Sequence, residues 1–511
     1  MTAKTDGRTP CIIGAAQRTW HPGSQPAPEP LEMWAQVAAA AAEDTGAPAG
    51  DVLRKVQGLS VLYCQSWPYD DPPRRLSDAF GIAPSHALYS GIGGTTPHVL
   101  IAEAAAAIAA GDLDVAVVVS AEALETVRQL KKAGERPSWS HRDPVKRPFP
   151  FEEPFHPSEI AHSVFQAWLT FAVFDIARRA HLGIAPEEYR DQLGNLLAPM
   201  SGVAETNPHA WFQRRYTPAE LTQPTPANRM VGYPYTKTMV SIMDVDMAAA
   251  VVLASEEAAD ALGVAPDRRV YPRGLAYATD PVYVAEHDPM WASPAMTAAS
   301  VAALGAAGVG VDDVAHFDLY SCFGSSLNLA IDALGLSPSD PRGFTVTGGL
   351  PFAGGPGSGY MLHSTAAMVE VLRNDPGSLG LVSGVGMHMT KHAFDIYSTT
   401  PPESIEWVRG AVGSKAGSPP ARAIENSHSG DATVAAYTVV HARSGEPEWG
   451  LVVCDVPGGA RAYGRVEDPA WLADMEASEW VGASVKLQSG EDGINRVVSV
   501  DRERTSADAG A

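Results

Sequence analysis

Two tyrosines, a few histidines and two glycine-rich turns are the parts of this 511-residue chain that could do chemistry. Tyr320 ends the apolar segment AHFDLY, and Tyr360 opens YMLHSTAAMVEVL. A buried tyrosine hydroxyl can act as a general acid or shuttle a proton. His363 lies one helical turn beyond Tyr360. For Tyr360 and His363 the competing reading is ordinary packing with a satisfied polar tip. His388 and His392 stand four apart, a spacing that puts both rings on one face of a helix, as in zinc sites. No third histidine or carboxylate follows at suitable spacing, so no metal is assigned. Cys322, two residues after Tyr320, reads as a small buried apolar side chain.

The elements that would position these residues repeat. In the first half, Gly91 to Thr96 (GIGGTT) leads through PHVLIAEAAAAIAAGDLD into the apolar run VAVVVSAE. In the second, GGLPFAGGPGSG leads through YMLHSTAAMVEVLRNDPG into SLGLVSGVG. Gly94 to Ser120 is 26 positions, and Gly355 to Ser383 is 28. Pro97 suits the first turn of a helix, the alanine run favours helix, and Gly111 suits its end. The run after it has little alternation, as in a parallel strand covered on both faces. Glycines before a helix let backbone approach a ligand closely, and the helix start offers free N–H groups to an anion. Two such halves predict a duplicated fold with a site between them.

Several segments in order, among them CIIGAAQRTW, GDLDVAVVVSAEAL, TMVSIMDVDMAAAVVLASEEAADALG, HFDLYSCFGSSLNLAIDALGL, GGLPFAGGPGSG and VSGVGMHMTKHAF, give the chain a resemblance to the thiolase superfamily over roughly residues 8 to 410. The sterol carrier protein type thiolases and the acetyl-CoA acetyltransferase-like proteins are the members it resembles. The resemblance implies an α/β fold of two halves packed as a five-layered αβαβα body, with a loop domain inserted in the first. It also implies a catalytic cysteine at Gly94, an asparagine or histidine at Tyr320, a histidine at Gly355 and a second cysteine at Ser383. None of these is present. Thiolase chemistry needs a thiolate to carry the acyl group and a base to activate it. Loss of a covalent nucleophile costs about 10^4 to 10^6 in rate, so standard thiolase activity is expected to be absent or very weak. The family's oxyanion hole uses main-chain N–H groups that map to Gly94 and to Val385 or Gly386, which side-chain replacement does not delete.

The resemblance therefore implies a protein of lipid, fatty acid or sterol metabolism. Its expected ligand is an acyl-CoA or related lipid-like thioester, with no permanently bound cofactor. The alternative is a retro-aldol lyase acting on a β-hydroxyacyl-CoA, with the oxyanion hole holding the enolate and Tyr320 or Tyr360 as acid and base. Thiolases pair through an edge strand of the first half, so a homodimer is one expected assembly.

A net charge of −22 argues against nucleic acid and against an anionic membrane as partners. A CoA site must then gather local positive charge, for which Lys131, Lys132, Lys146, Arg147, Arg214 and Arg215 are candidates in the inserted region. Four cysteines (Cys11, Cys64, Cys322, Cys454) lie far apart without CxxC spacing, which fits a reducing compartment. The start carries no apolar signal core, and the expectation is a cytoplasmic protein.

The reading along the chain is a first half over 1–265 with the loop domain inserted at about 125–240, and a second half over 266–410. A proline- and glycine-rich linker follows at 411–431, then a small domain at 432–500 and a disordered tail at 501–511. In the small domain TVAAYTVVHA, WGLVVCDV, ARAYGRV, a helical DPAWLADMEAS, VGASVKLQ and INRVVSV give three strands, a helix and two strands. That order predicts an OB-like barrel.

Overall fold

The computed structural model describes residues 7–23, 26–145, 155–405, 415–416 and 420–501. Two sheets form the body. The first runs edge to edge as Pro10–Thr19, Asp246–Ser255, Val115–Ala123, Gly58–Val61 and His86–Tyr89. In the second, Tyr271–Thr279, Lys391–Ser398, Leu379–Gly386 and His316–Asp318 repeat the first four strands in order and direction, with Lys415–Ala416 added parallel outside Tyr271–Thr279. Val115–Ala123 and Asp246–Ser255 are buried at every residue, which is why neither shows alternation in sequence.

Between the sheets lie the helices Thr96–Ala110 and Tyr360–Asn374, in one apolar core with Ile12, Val118, Val251, Val382 and Tyr397. Both follow glycine-rich turns. The first ends at Gly111, whose φ of 89° is left-handed and cheap only for glycine. Outside the first sheet Pro30–Asp44 buries Met33, Trp34, Val37 and Ala38. Outside the second pack Pro294–Ala307 and Gly324–Leu334. The result is the five-layered αβαβα body with the insertion in its first half.

The insertion contributes helices Ala167–His181 and Pro186–Thr206 and the short strands Met230–Gly232 and Tyr235–Thr236. From Ser158 onward the insertion does not form a single continuous helix. A first helix stops at Ala161, Ser163 turns left-handed at φ 59°, and a new helix starts at Ala167.

The C-terminal barrel consists of Gly430–His441, Pro447–Asp455, Arg461–Val466, the helix Pro469–Ala477, Ser484–Ser489 and Asn495–Asp501, closed by pairing of the first two strands. Its first strand also takes on the insertion's short strands, so barrel and insertion share a sheet. Arg179, at 1% side-chain exposure, reaches from the insertion helix to Glu479 at 2.9 Å and to the Tyr437 hydroxyl at 2.9 Å. Within the expected linker, Lys415–Ala416 pairs with Tyr277 and Ala278 as a sheet edge. Most of the expected tail, residues 502–511, lies outside the described residues. The first sheet's edge strand His86–Tyr89 is exposed at His86, Ala87 and Leu88. Among the described residues no helix is long and apolar enough to cross a membrane.

Candidate functional site

The two glycine-rich loops meet. Gly93 N–H donates to the Ser358 hydroxyl at 3.0 Å, tying the turn before the first central helix to the turn before the second. At Gly94 an ideal Cβ would lie 2.1 Å from the Val385 carbonyl oxygen, 2.6 Å from the Tyr320 hydroxyl and 3.0 Å from Tyr320 Cζ. Three positions singled out in the sequence, Gly94, Tyr320 and Val385, therefore converge on one small space. No side chain fits at residue 94, and the Tyr320 hydroxyl stands where a nucleophile on that residue would project. The loop Ile92–Gly94 beside it is partly exposed.

Tyr320 is held in place from two sides. Its main-chain N–H donates to Ser383 Oγ at 2.9 Å, so the serine at the second cysteine position anchors the tyrosine's backbone. Its ring meets Tyr360 edge-on, with centroids 5.5 Å apart and planes at 90°. Among the described residues its hydroxyl has no hydrogen-bond partner. Burial pushes its pKa above the ordinary tyrosine range, so at neutral pH it is a phenol with a proton to donate.

Tyr360 is differently placed. Its hydroxyl donates to Asp318 Oδ1 at 3.1 Å and lies 2.7 Å from Thr347 Oγ1. Asp318 also accepts from Ser364, Thr345 and Thr347 hydroxyls and from the Val346 and Thr347 N–H groups. The Tyr360 hydroxyl is thus committed to a buried carboxylate, and burial with the nearby Asp318 charge raises its pKa. It braces Tyr320 and is not free to exchange protons with a ligand.

His363 points elsewhere. Its Nδ1 lies 3.2 Å from Gln17 Oε1 on the first sheet, and burial, aided by His209, pushes its pKa down to about 3. It sits beside a cavity of about 490 Å³ between the halves, lined by Gln17, His209, Arg268 and Arg373 among others. The structure does not bring it to Tyr320. At Gly355, where a thiolase carries a histidine, an ideal Cβ would lie 2.3 Å from Ser241 Oγ, so a side chain there requires that hydroxyl to turn away.

For Val385 the oxyanion expectation changes. The group of Val385 that faces Gly94 is its carbonyl oxygen, an acceptor, which repels an oxyanion. Gly386 packs against Thr95 and Lys391, and its carbonyl accepts from Thr390 N–H. The side-chain donor beside the space is the Tyr320 hydroxyl, 2.6 Å from the ideal Cβ position on Gly94.

His388 and His392 share no helix face. His388 occupies a hairpin tip, while His392 lies on the strand Lys391–Ser398, where its Nε2 is 3.0 Å from Asp280. Cys322 is buried, its thiol pushed up to about 12 by burial. Of the basic candidates, Arg214 pairs with Glu220 at 2.7 Å, Arg215 packs against Gly202, and Lys131 and Lys132 are exposed. Lys146 and Arg147 lie outside the described residues.

Sequence reasoning passed over three residues here. Asp318 organises the tyrosine pair, Ser358 joins the loops, and Glu122 lies under the second loop, its Oε1 2.8 Å from an ideal Cβ on Gly357. Glu122 accepts from Gln65 N–H at 2.7 Å, Ser66 N–H at 3.0 Å and Ser66 Oγ at 2.7 Å. Burial nevertheless raises its pKa from 4.5 to about 7. The available signal was an acidic residue inside an apolar strand, in HFDLY and in VVVSAE.

The body and site define a thiolase-fold protein without thiolase side chains, and the comparisons agree. The human mitochondrial 3-ketoacyl-CoA thiolase in complex with CoA aligns over 77% of this chain and 99% of its own, at 18% identity and a TM-score of 0.53. The Ltp2-ChsH2(DUF35) aldolase aligns over 77% and 98%, at 17% identity and a TM-score of 0.57. At these identities both speak to fold alone. A monomeric SCP2-thiolase-like protein type 1 from Mycobacterium smegmatis is 31% identical, covering 97% of this chain and 99% of that one, at a TM-score of 0.80. Residues 412–492 match the family model of the thiolase-like protein type 1 additional C-terminal domain. The chain belongs to the SCP2-thiolase-like proteins of type 1. No curated protein matches it.

Proposed function

We propose that the protein binds an acyl-CoA or a related thioester without forming a covalent intermediate. One observation carries this reading: at Gly94 the space of the missing nucleophile is taken by the unpartnered Tyr320 hydroxyl. A neutral phenol there can donate to the thioester carbonyl, a bond worth about 0.5–1.5 kcal/mol net. With its pKa raised by burial, that phenol is a poor nucleophile, so acyl transfer to it is disfavoured. Gly91 to Gly94 and the partly exposed loop give the ligand a backbone surface to lie against.

The lyase alternative draws on the aldolase among the fold's neighbours. It requires a group to take the β-hydroxyl proton, and an effective base has a pKa near the working pH. Burial moves both tyrosines the opposite way, and Tyr360 is already bonded to Asp318. Binding is the better-supported reading. Its test is a thermal-shift screen with acyl-CoAs of increasing chain length at saturating concentration, since a ligand selective for the folded state raises Tm. A shift with at least one thioester, reduced in Tyr320→Phe, is expected. No shift with any, or turnover of a 3-hydroxyacyl-CoA, would overturn it.

A further inference from the structure

The insertion helix Pro186–Thr206 carries a proline in its interior, at Pro199. Proline has no N–H, so the Asn195 carbonyl one turn back loses its helical donor, and the proline ring crowds that carbonyl aside. Such an acceptor is costly unless another group supplies the hydrogen bond. Gln192, Asn195, Leu196, Pro199, Met200 and Val203 recur three or four positions apart and form one stripe of the helix. That stripe is one wall of a cavity of about 650 Å³.

The opposite wall is the segment 338–345. It is held to the core, because the Phe344 carbonyl accepts from Leu319 N–H at 2.9 Å and the Thr345 hydroxyl donates to Asp318 at 2.9 Å. A helix and an anchored loop thus enclose a pre-formed space of the size that small molecules occupy. Leu196, Met200 and Phe344 are buried and make its interior apolar. The two charged residues of the lining close on each other: Arg342 donates to Asp340 at 2.9 and 2.7 Å, and its remaining nitrogen donates to the Val311 and Val314 carbonyls. The lining therefore offers no free cation to a carboxylate or phosphate. The Thr345 proton is committed to Asp318. What the wall offers is an acceptor, the Asn195 carbonyl, and Asn195 is exposed, which puts that acceptor at the mouth.

We propose that this cavity is a binding site for a long-chain aliphatic alcohol. The alkyl body lies along Leu196, Met200 and Phe344, and the hydroxyl donates to the Asn195 carbonyl. None of the lining residues belongs to the Gly94 space, so the site stands independently of the thioester reading. A ketone of the same length fills the cavity but brings no proton, and a carboxylate loses its hydration without gaining a cation.

The experiment is calorimetric titration of the full chain with 1-octanol, 2-octanone and octanoate. The alcohol should bind about five- to tenfold tighter than the ketone, as one added hydrogen bond provides, and octanoate should bind weakest. Pro199→Ala returns an N–H to the Asn195 carbonyl and removes a helix breaker. It should bring the alcohol down to the affinity of the ketone while leaving the ketone within about twofold. Val203→Phe adds a ring to the cavity from a partly exposed position and should abolish binding of all three. No binding of 1-octanol, equal binding of alcohol and ketone, or a preference that survives Pro199→Ala would overturn the proposal. Binding that survives Val203→Phe would overturn it too, by placing the alcohol elsewhere.

Discussion

Returning a cysteine to position 94, where thiolases carry their nucleophile, is expected to destabilise the protein without creating acyl transfer. The ideal Cβ lies 2.1 Å from the Val385 carbonyl oxygen and 2.6 Å from the Tyr320 hydroxyl, whereas Cβ atoms essentially never come within 3.0 Å of another heavy atom. The carbonyl would have to retreat by about 0.9 Å. Val385 sits on a strand paired opposite His392 in a densely packed interior, so that movement distorts a sheet ladder. Overpacking of this kind costs about 1–3 kcal/mol, and a clash against backbone belongs at the upper end, about 3 kcal/mol. Gly94→Ala carries the same Cβ and should cost nearly as much. Adding Tyr320→Phe relieves only the hydroxyl contact and should recover less than half of the loss. Denaturant midpoints of the single and double variants measure this, with intact mass after exposure to acetoacetyl-CoA reporting acylation. Gly94→Cys as stable as the parent, or an acyl group on that cysteine, would refute the account of a closed nucleophile position.

The two tyrosines should separate in stability. Tyr360→Phe strips a donor from buried Asp318 and is expected to cost about 1–3 kcal/mol, while Tyr320→Phe removes an unpartnered hydroxyl and should stay within about 0.5 kcal/mol; equal losses in urea titrations would contradict the assigned roles. Glu122 should leave a pH signature. Its folded pKa of about 7 lies above the 4.5 of an open glutamate, so its contribution to stability is complete below 4.5 and is lost as pH rises through 7, by about 3 kcal/mol. His363 and His388, pushed down to about 3 and 4, act in the opposite sense, losing stability as pH falls below the ordinary histidine range. The comparison is therefore between parent and Glu122→Gln: the gap should move in favour of the variant by about 3 kcal/mol from pH 4.5 to pH 8, and a gap independent of pH would show that Glu122 does not titrate there.

The sequence made the frame of the site legible because glycine, proline and apolar runs act locally. GIGGTT before an alanine-rich helix and GGPGSG before YMLH each required a tight turn ahead of a buried helix, and both turns are found at the site. The barrel's strand and helix order was readable for the same reason. What pattern could not show was direction. His388 and His392 have helical spacing, yet a hairpin tip and a strand separate them. Whether Val385 offers an N–H or a carbonyl to Gly94 depends on how its strand is seated in the sheet, which no residue type encodes. Tyr320 and Tyr360 look equivalent as letters, and only the lone pairs of Asp318 tell them apart. Ser383 is a lost catalytic position by resemblance and an anchor of the Tyr320 backbone by geometry.

Mass spectrometry of the protein with a long-chain acyl-CoA, under native and then denaturing conditions, tests the central claim most directly. The account predicts one intact acyl-CoA retained in the native spectrum and lost completely on denaturation, with the chain returning to its unmodified mass. An acyl increment that survives denaturation, or no bound thioester in the native spectrum at saturating concentration, would contradict it.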